Sequence, residues 1–425
     1  MMFKRNLVVA VALFISAASH ASQLDTLLDK LVEKQVITDG EARLISIESL
    51  EQERADVMSG KSQTLPLWLQ NISMKGDLRL RHQIDWDSSK NYPRIRERLR
   101  LRTGFDTRVS ENLKAGFGLA TGSEKFTDTN VTVSTRTGSG SLTGSSIIDA
   151  EPTSTNHTFG NGFSKPMIMV DYAFLEYTPY SWIKVTGGKM KNPIWAPTDL
   201  LWDTDINPDG FAVCLNKDMV PEKLSLFFNG AWFVFNEKNS SSNNPDAYIG
   251  QFGPQWSATD KIKIKAAVAY HAYSVSGKDT GYYGIPAFDY TAMNPSLNIS
   301  IAELAGPYSL DIYGDSSSNS DKKATSDTAA SAYGIKFGDA KIAKFGQWQL
   351  TYVQRSVETN AWLNKLGDSD AYGGATNSKG YEATLTVGLT KNTVLGMDYY
   401  AMDKIKGATA TTPKSLLQCD VVYKF

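Results

Sequence analysis

Arginine occupies every second position of RIRERLRLR: Arg94, Arg96, Arg98, Arg100 and Arg102 alternate with Ile95, Glu97, Leu99 and Leu101. Two more, Arg79 and Arg81, share one parity in the run before it. A guanidinium keeps its charge at every physiological pH and offers a planar fork of N–H donors. It attracts and orients anions but supplies neither a nucleophile nor a neutral-pH base. The chemistry such a row offers is electrostatic: a positive wall that biases which ions approach.

A second charged set lies at residues 190–209, where Asp199, Asp203, Asp205 and Asp209 accompany Trp195 and Trp202. Folded against the arginines, this acidic segment would set a transverse field at a constriction. Left in water, it would be an ordinary surface loop. Its stretch DTDINPDG resembles a calcium loop, but Pro208 stands where an EF-hand needs glycine and Cys214 where it needs the bidentate glutamate. No metal is assigned. His82, His157 and His271 are scattered, no serine or cysteine sits in a nucleophile motif, and the glycine-rich run at 138–146 lacks the context of a phosphate loop. The chain reads as a non-enzyme without a cofactor.

Extended backbone sends alternate side chains to opposite faces, so the arginine row requires a strand. From Ile72 to Trp86 the alternation is almost complete, with Leu78, Leu80 and Ile84 on one parity and Asp77, Arg79, Arg81 and Asp85 on the other. The same grammar predicts strands at about 72–86, 94–109, 113–121, 167–178, 182–189, 210–217, 223–237, 246–257, 261–273, 297–304, 307–315, 331–340, 345–357, 379–390, 393–403 and 415–425, sixteen in all. Connections alternate between short ones such as SENL, AGP and TKN and long polar ones at 122–166, 190–209, 274–296 and 358–378. Long loops at one end and tight turns at the other describe a 16-stranded antiparallel transmembrane β-barrel, an all-β fold. Closure satisfies every backbone group in lipid. The aliphatic face of Arg94–Arg102 then meets outer-membrane lipid and the arginines line a watery lumen. If the first hairpin opposes Arg81 with Arg100 and Arg79 with Arg102, like charges repel, and water, carboxylates or passing anions must compensate. Replacing Arg100 and Arg102 with Glu would relieve that repulsion.

The N-terminus reads differently. Lys4 and Arg5, the apolar run Leu7–Ile15 and Ser19-His20-Ala21 form a signal peptide over residues 1–21. Residues 22–66 form a helical segment and linker on the periplasmic side, with Thr38 and Glu41 as a capping box, and the barrel occupies 67–425. The net charge of −1 argues against a nucleic-acid partner. Cys214 and Cys419, on distant strands, are expected to stay unpaired.

The stretch GKMKNPIWAPTDLLWDTDINPDGFAV, residues 188–213, resembles the signature region of the bacterial outer-membrane "putative porin" family, and LLDKLVEKQVITDGEA resembles that family's leader. A similar leader occurs in some phosphate-selective porins. The resemblance implies a Gram-negative diffusion channel for small hydrophilic solutes or anions, and leaves a homotrimer open. The last strand, ending on Phe425, resembles the signal read by the barrel assembly machinery. Two other readings stand beside it: a structural or adhesive outer-membrane barrel, and a hydrolase on a barrel scaffold, neither with a conducting pore.

Overall fold

The computed structural model describes residues 28, 30–34, 36–59, 72–122, 124–126, 148–163, 165–237 and 244–425. The signal peptide, the linker at 60–66 and the glycine-rich run at 138–146 lie outside them. Sixteen long antiparallel strands follow one another around a closed barrel. They are β1 (Ser73–Asp87), β2 (Arg94–Arg108), β3 (Leu113–Gly122), β4 (Met167–Tyr180), β5 (Ile183–Lys189), β6 (Asp209–Val220), β7 (Leu224–Val234) and β8 (Asp246–Ser257). The circuit continues with β9 (Ile262–Ser274), β10 (Tyr290–Ala305), β11 (Tyr308–Asn319), β12 (Ala329–Asp339), β13 (Trp348–Val357), β14 (Ser378–Gly388), β15 (Thr393–Lys404) and β16 (Lys414–Lys424). Strand β16 returns to β1 in a ladder running from Asp77 opposite Lys424 to Asp87 opposite Lys414, which removes the free edges.

The two faces differ as the alternation requires. On β1, Leu78 and Leu80 face outward while Arg79 and Arg81 are buried inside. Ile312, Ile335 and Tyr352 stand side by side on β11, β12 and β13, all exposed on the outer wall. Aromatic rings mark both ends of that wall. Tyr180 stacks on Trp182 near the short turns, and Phe211 stacks on Trp232 near the long loops. Such girdles flank the apolar band of a membrane barrel. Glu97, which interrupts the apolar face of β2, meets His82 on the same outer wall at 2.7 Å.

Strand β10 begins at Tyr290, well before the position expected from the sequence. Asn294-Pro295 reads locally as a breaker, yet Pro295 sits within the ladder opposite Val268. The Asn294 amide donates to the Ser316 carbonyl at 2.8 Å, so the wall is held by a side chain there. The loop after β9 is shorter in consequence, running from 275 to 289. At the outer end of β2 the neighbour is a loop segment: Arg98 and Leu99 pair with Thr158 and His157 of the connection between β3 and β4, the second at this end of the barrel.

The chain divides into two compact units, one holding the N-terminal residues and the other most of the barrel. Its helix α1 (Asp39–Ser59) opens with the reciprocal bonds of a capping box. The Thr38 amide donates to Glu41 Oε2 at 2.8 Å and the Glu41 amide donates to Thr38 Oγ1 at 3.3 Å. Leu44 and Ile47 are exposed on it. Cys214 and Cys419 are free thiols on β6 and β16.

Two outcomes test this architecture. Ile335→Arg places a charge on the outer wall near mid-strand, and urea unfolding in lipid should register a loss of ~2–4 kcal/mol. Deleting residues 22–66 should leave heat-modifiable electrophoretic migration of the barrel intact. Failure of the truncated chain to fold in detergent would assign that segment to barrel assembly.

Candidate functional site

Two connections fill much of the lumen. Residues 190–208, between β5 and β6, carry Leu200, Leu201 and Ile206 into a buried cluster with Trp362, Leu363 and Leu366 from residues 358–377, between β13 and β14. The floor of that cluster is the inward wall: Ala247, Tyr273, Ala292 and Ala332. Small side chains on the wall make room for large ones on the loops. The loops also bond to each other, the Trp362 indole donating to the Leu201 carbonyl at 2.7 Å and the Asp203 amide to the Leu366 carbonyl at 2.8 Å. Gln251 on β8 holds Trp195 at two points, accepting from its amide at 2.9 Å and donating to its carbonyl at 2.6 Å. Thr198 donates to Asp315 on β11. Asp203 accepts from the amides of Asp205 and Ser369, each at 2.8 Å. Burial outweighs those bonds and pushes its carboxyl up to about 7.

The arginine row lines the inner wall, and carboxylates interleave it. Asp77 accepts from Arg100 at 2.9 Å and from Arg102 at 2.8 Å. Asp85 takes Arg96, and Asp420 on β16 takes Arg81 through two bonds of 2.7 Å. Arg79 donates to Asn156 at 2.6 Å and lies 3.5 Å from Asp420. Arg98 differs: it donates only to neutral oxygens, Gln83 Oε1 at 3.1 Å and Ser154 Oγ at 3.4 Å. Arg94 is exposed at the outer rim. A third loop segment joins here, since Thr153, Ser154, Thr155 and Asn156 of the second connection all reach this wall or the folded loops.

The four acidic residues of 190–209 go to different partners. Asp205 faces the row and meets Arg102 at 3.3 Å. Asp199 meets Arg355 on β13 at 3.0 Å, where Asp368 (2.9 Å) and Glu382 on β14 (2.8 Å) also converge. Asp203 serves the loop backbones. Asp209 belongs elsewhere: it starts β6, is largely exposed and pairs with Lys189 at 3.0 Å. The cause is the strand boundary, which takes Asp209 out of the loop and onto the wall. Dispersed in this way, the four carboxylates share no common centre.

The folded loops leave space on both sides. A cavity of about 430 Å³ at the long-loop end is lined by Arg94, Arg96, Arg98 and Arg100 together with Asp199, Asp205, Asp368 and Asp370. A second, of about 630 Å³, lies at the short-turn end. Its charged lining comprises Lys75, Lys114, Lys184, Lys191 and Lys265 with Asp106 and Glu176. The Tyr172 side chain lies over Gly104 and Gly118, where an added Cβ would come within 1.9 Å of its hydroxyl and 2.2 Å of its ring. Sequence reasoning missed the lysines because five separate elements supply them. It also passed over Asp77 and Asp85, although both share the parity of Arg79 and Arg81 and could have been read as their partners.

Asp77→Asn should destabilise the barrel by about 1–3 kcal/mol in urea unfolding, less than for a dry pair because water reaches these groups and Arg102 keeps Asp205. Replacing Arg100 and Arg102 with Glu should likewise destabilise, since three carboxylates would then share the place of Asp77. That reverses the relief inferred from strand register alone. The Asp203 carboxyl is raised in the folded state, so its contribution to stability is full below pH ~4 and is lost as pH rises through about 7. Unfolding midpoints of Asp203→Asn should decline less across that window than those of the parent.

Comparison with known proteins follows from this geometry. No curated protein matches the chain. Among solved structures it is similar to engineered variants of a porin from Rhodopseudomonas blastica. A triple mutant aligns at 10% identity with a TM-score of 0.44, and a variant with five substitutions at 11% identity with a TM-score of 0.44. Each alignment covers 83% of this chain and 100% of the porin. The family model described as "Putative porin" matches residues 128–298 and 286–425, most of the barrel. By that match the chain belongs to the "Putative porin" family of outer-membrane channels.

Proposed function

We propose that this channel passes small hydrophilic solutes by passive diffusion and favours anions. The observation that carries the reading is the cavity at the short-turn end, with five lysines against two carboxylates in its lining. Field lines concentrate in a low-dielectric cleft of one sign, which raises the local concentration of counter-ions. The arginine row contributes less than its charge suggests, because Asp77, Asp85 and Asp420 neutralise most of it. Arg98, bound only to neutral oxygens, is the exception within Arg96–Arg102. Residues 190–208 act as the constriction in this scheme, narrowing the lumen between the two cavities.

In this reading the lysine-lined cavity opens to the periplasm, the side that short turns face in membrane barrels, and helix α1 lies in the periplasm. The strand ending on Phe425 serves barrel assembly, and three copies form the working unit. An adhesive barrel gains little support, since part of the second connection is folded inward at Thr153 and Asn156. A hydrolase needs a nucleophile beside a base, and His82 and His271 sit on an outer wall and among aromatic rings.

Purified protein in a planar bilayer should conduct, with a reversal potential of anion-preferring sign in a KCl gradient. Changing Lys184, Lys191 and Lys265 together to Gln should move that potential toward the cation side. The move should shrink at ~1 M salt, where the screening length is about 3 Å. An unchanged potential in the triple variant, with conductance retained, removes these lysines from the conducting path, and a silent bilayer overturns the channel itself.

A further inference from the structure

The cavity at the short-turn end has an apolar side that ion passage does not require. Phe227 on β7 lines it and meets Trp195 of the folded loop edge to face, with ring centroids 6.4 Å apart and an interplanar angle of 83°. The ammonium of Lys265 on β9 lies 4.5 Å from the Trp195 ring centroid and 4.9 Å from that of Phe227. The other lysines there have carboxylates near them: Asp106 for Lys75 and Lys114, Glu176 for Lys184 and Asp171 for Lys191. Among the described residues no carboxylate pairs with Lys265. The corner is also rigid. Gln251 holds the Trp195 backbone at both its amide and its carbonyl.

We propose that this corner binds small carboxylates that carry a planar apolar body, for which benzoate is the simplest probe. The carboxylate takes the place of a counter-ion on Lys265, and the ring packs against the aromatic side of the cavity. Two aspects of the chemistry select this class. A hydrated inorganic anion gains only the charge, whereas an aromatic acid also removes apolar surface from water. The space, about 630 Å³, lies within the range of small-molecule sites built from apolar walls and a few placed polar groups. This inference rests on the anion-preferring reading of the channel and narrows it to a substrate class.

Calorimetric titration of the folded protein in detergent, with sodium benzoate, acetate and phosphate in turn, tests it. Benzoate should bind at least tenfold more tightly than acetate or phosphate. Lys265→Met should weaken benzoate tenfold or more, and Phe227→Leu, which keeps an apolar side chain on β7, should bring the benzoate-to-acetate ratio below threefold. Heat-modifiable migration confirms that each variant is folded, and either variant alone suffices. Equal affinities for benzoate and acetate in the parent, or unchanged benzoate affinity in the folded variants, would overturn the site. Tight benzoate binding beside a cation-preferring reversal potential would leave the site standing and refute the anion preference of the channel. The reverse pattern would refute the site alone.

Discussion

A cylinder of sixteen strands encloses more space than its inward side chains can fill. How that space is divided between packed loop and water decides the rest of this structure. The wall answers with small residues, Ala247, Ala292 and Ala332, where Leu200, Leu201 and Trp362 must be received. It answers with charged and amide groups where water is to remain. A single side-chain parity therefore carries two different interiors along one circuit of strands. The outer parity stays mostly apolar, with the Glu97–His82 pair as an interruption, because lipid makes the same demand along the whole wall.

Electrostatics inside the lumen follow from this division. Where loop and wall close on each other, charged side chains gather in clusters. Arg355 is almost fully buried and gathers Asp199, Asp368 and Glu382 from two loops and a strand. Removing charges from water is costly, so such a set holds geometry more than it adds stability. It fixes how residues 190–208 sit against 358–377. Along β1 and β2 the spacing of two residues stacks arginines on one side of the wall, and Asp77 and Asp420 separate them. Of the two cavities described, the one at the short-turn end is lined by more cations than carboxylates and the other is not.

The strands were legible because the pattern has a period of two and lipid enforces it for long runs. The start of β10 was not legible, because Asn294 and Pro295 satisfy a local rule for turns while a cross-strand amide bond keeps the wall intact. The inward fold of residues 190–208 carried only a weak signal. Trp195 and Trp202 mark apolar anchors, but irregular loops have no period to read, and their partners lie more than a hundred residues later, at Trp362 and Leu366. The capping box at Thr38 and Glu41 was legible since it is wholly local. The arginine row was legible as a row. Its neutralisation depended on Asp420, far along the chain, and on Asp77, which shares the parity of Arg79 and Arg81 but was not read as a partner. The lysine-lined cavity could not be assembled without the register of β1, β3, β5 and β9.

The hold of Gln251 on Trp195 has an electrical meaning. Its amide engages both backbone groups of the residue, so the inner lip of the folded loop moves only if two hydrogen bonds and a ring contact give way together. If residues 190–208 form the constriction proposed above, an aperture tied at that point keeps its width over the time an ion takes to pass. The open state then carries a quiet current with little flicker. A solute that lingers beside the lip registers as a discrete dip in that current, and its dwell time can be read directly from the trace.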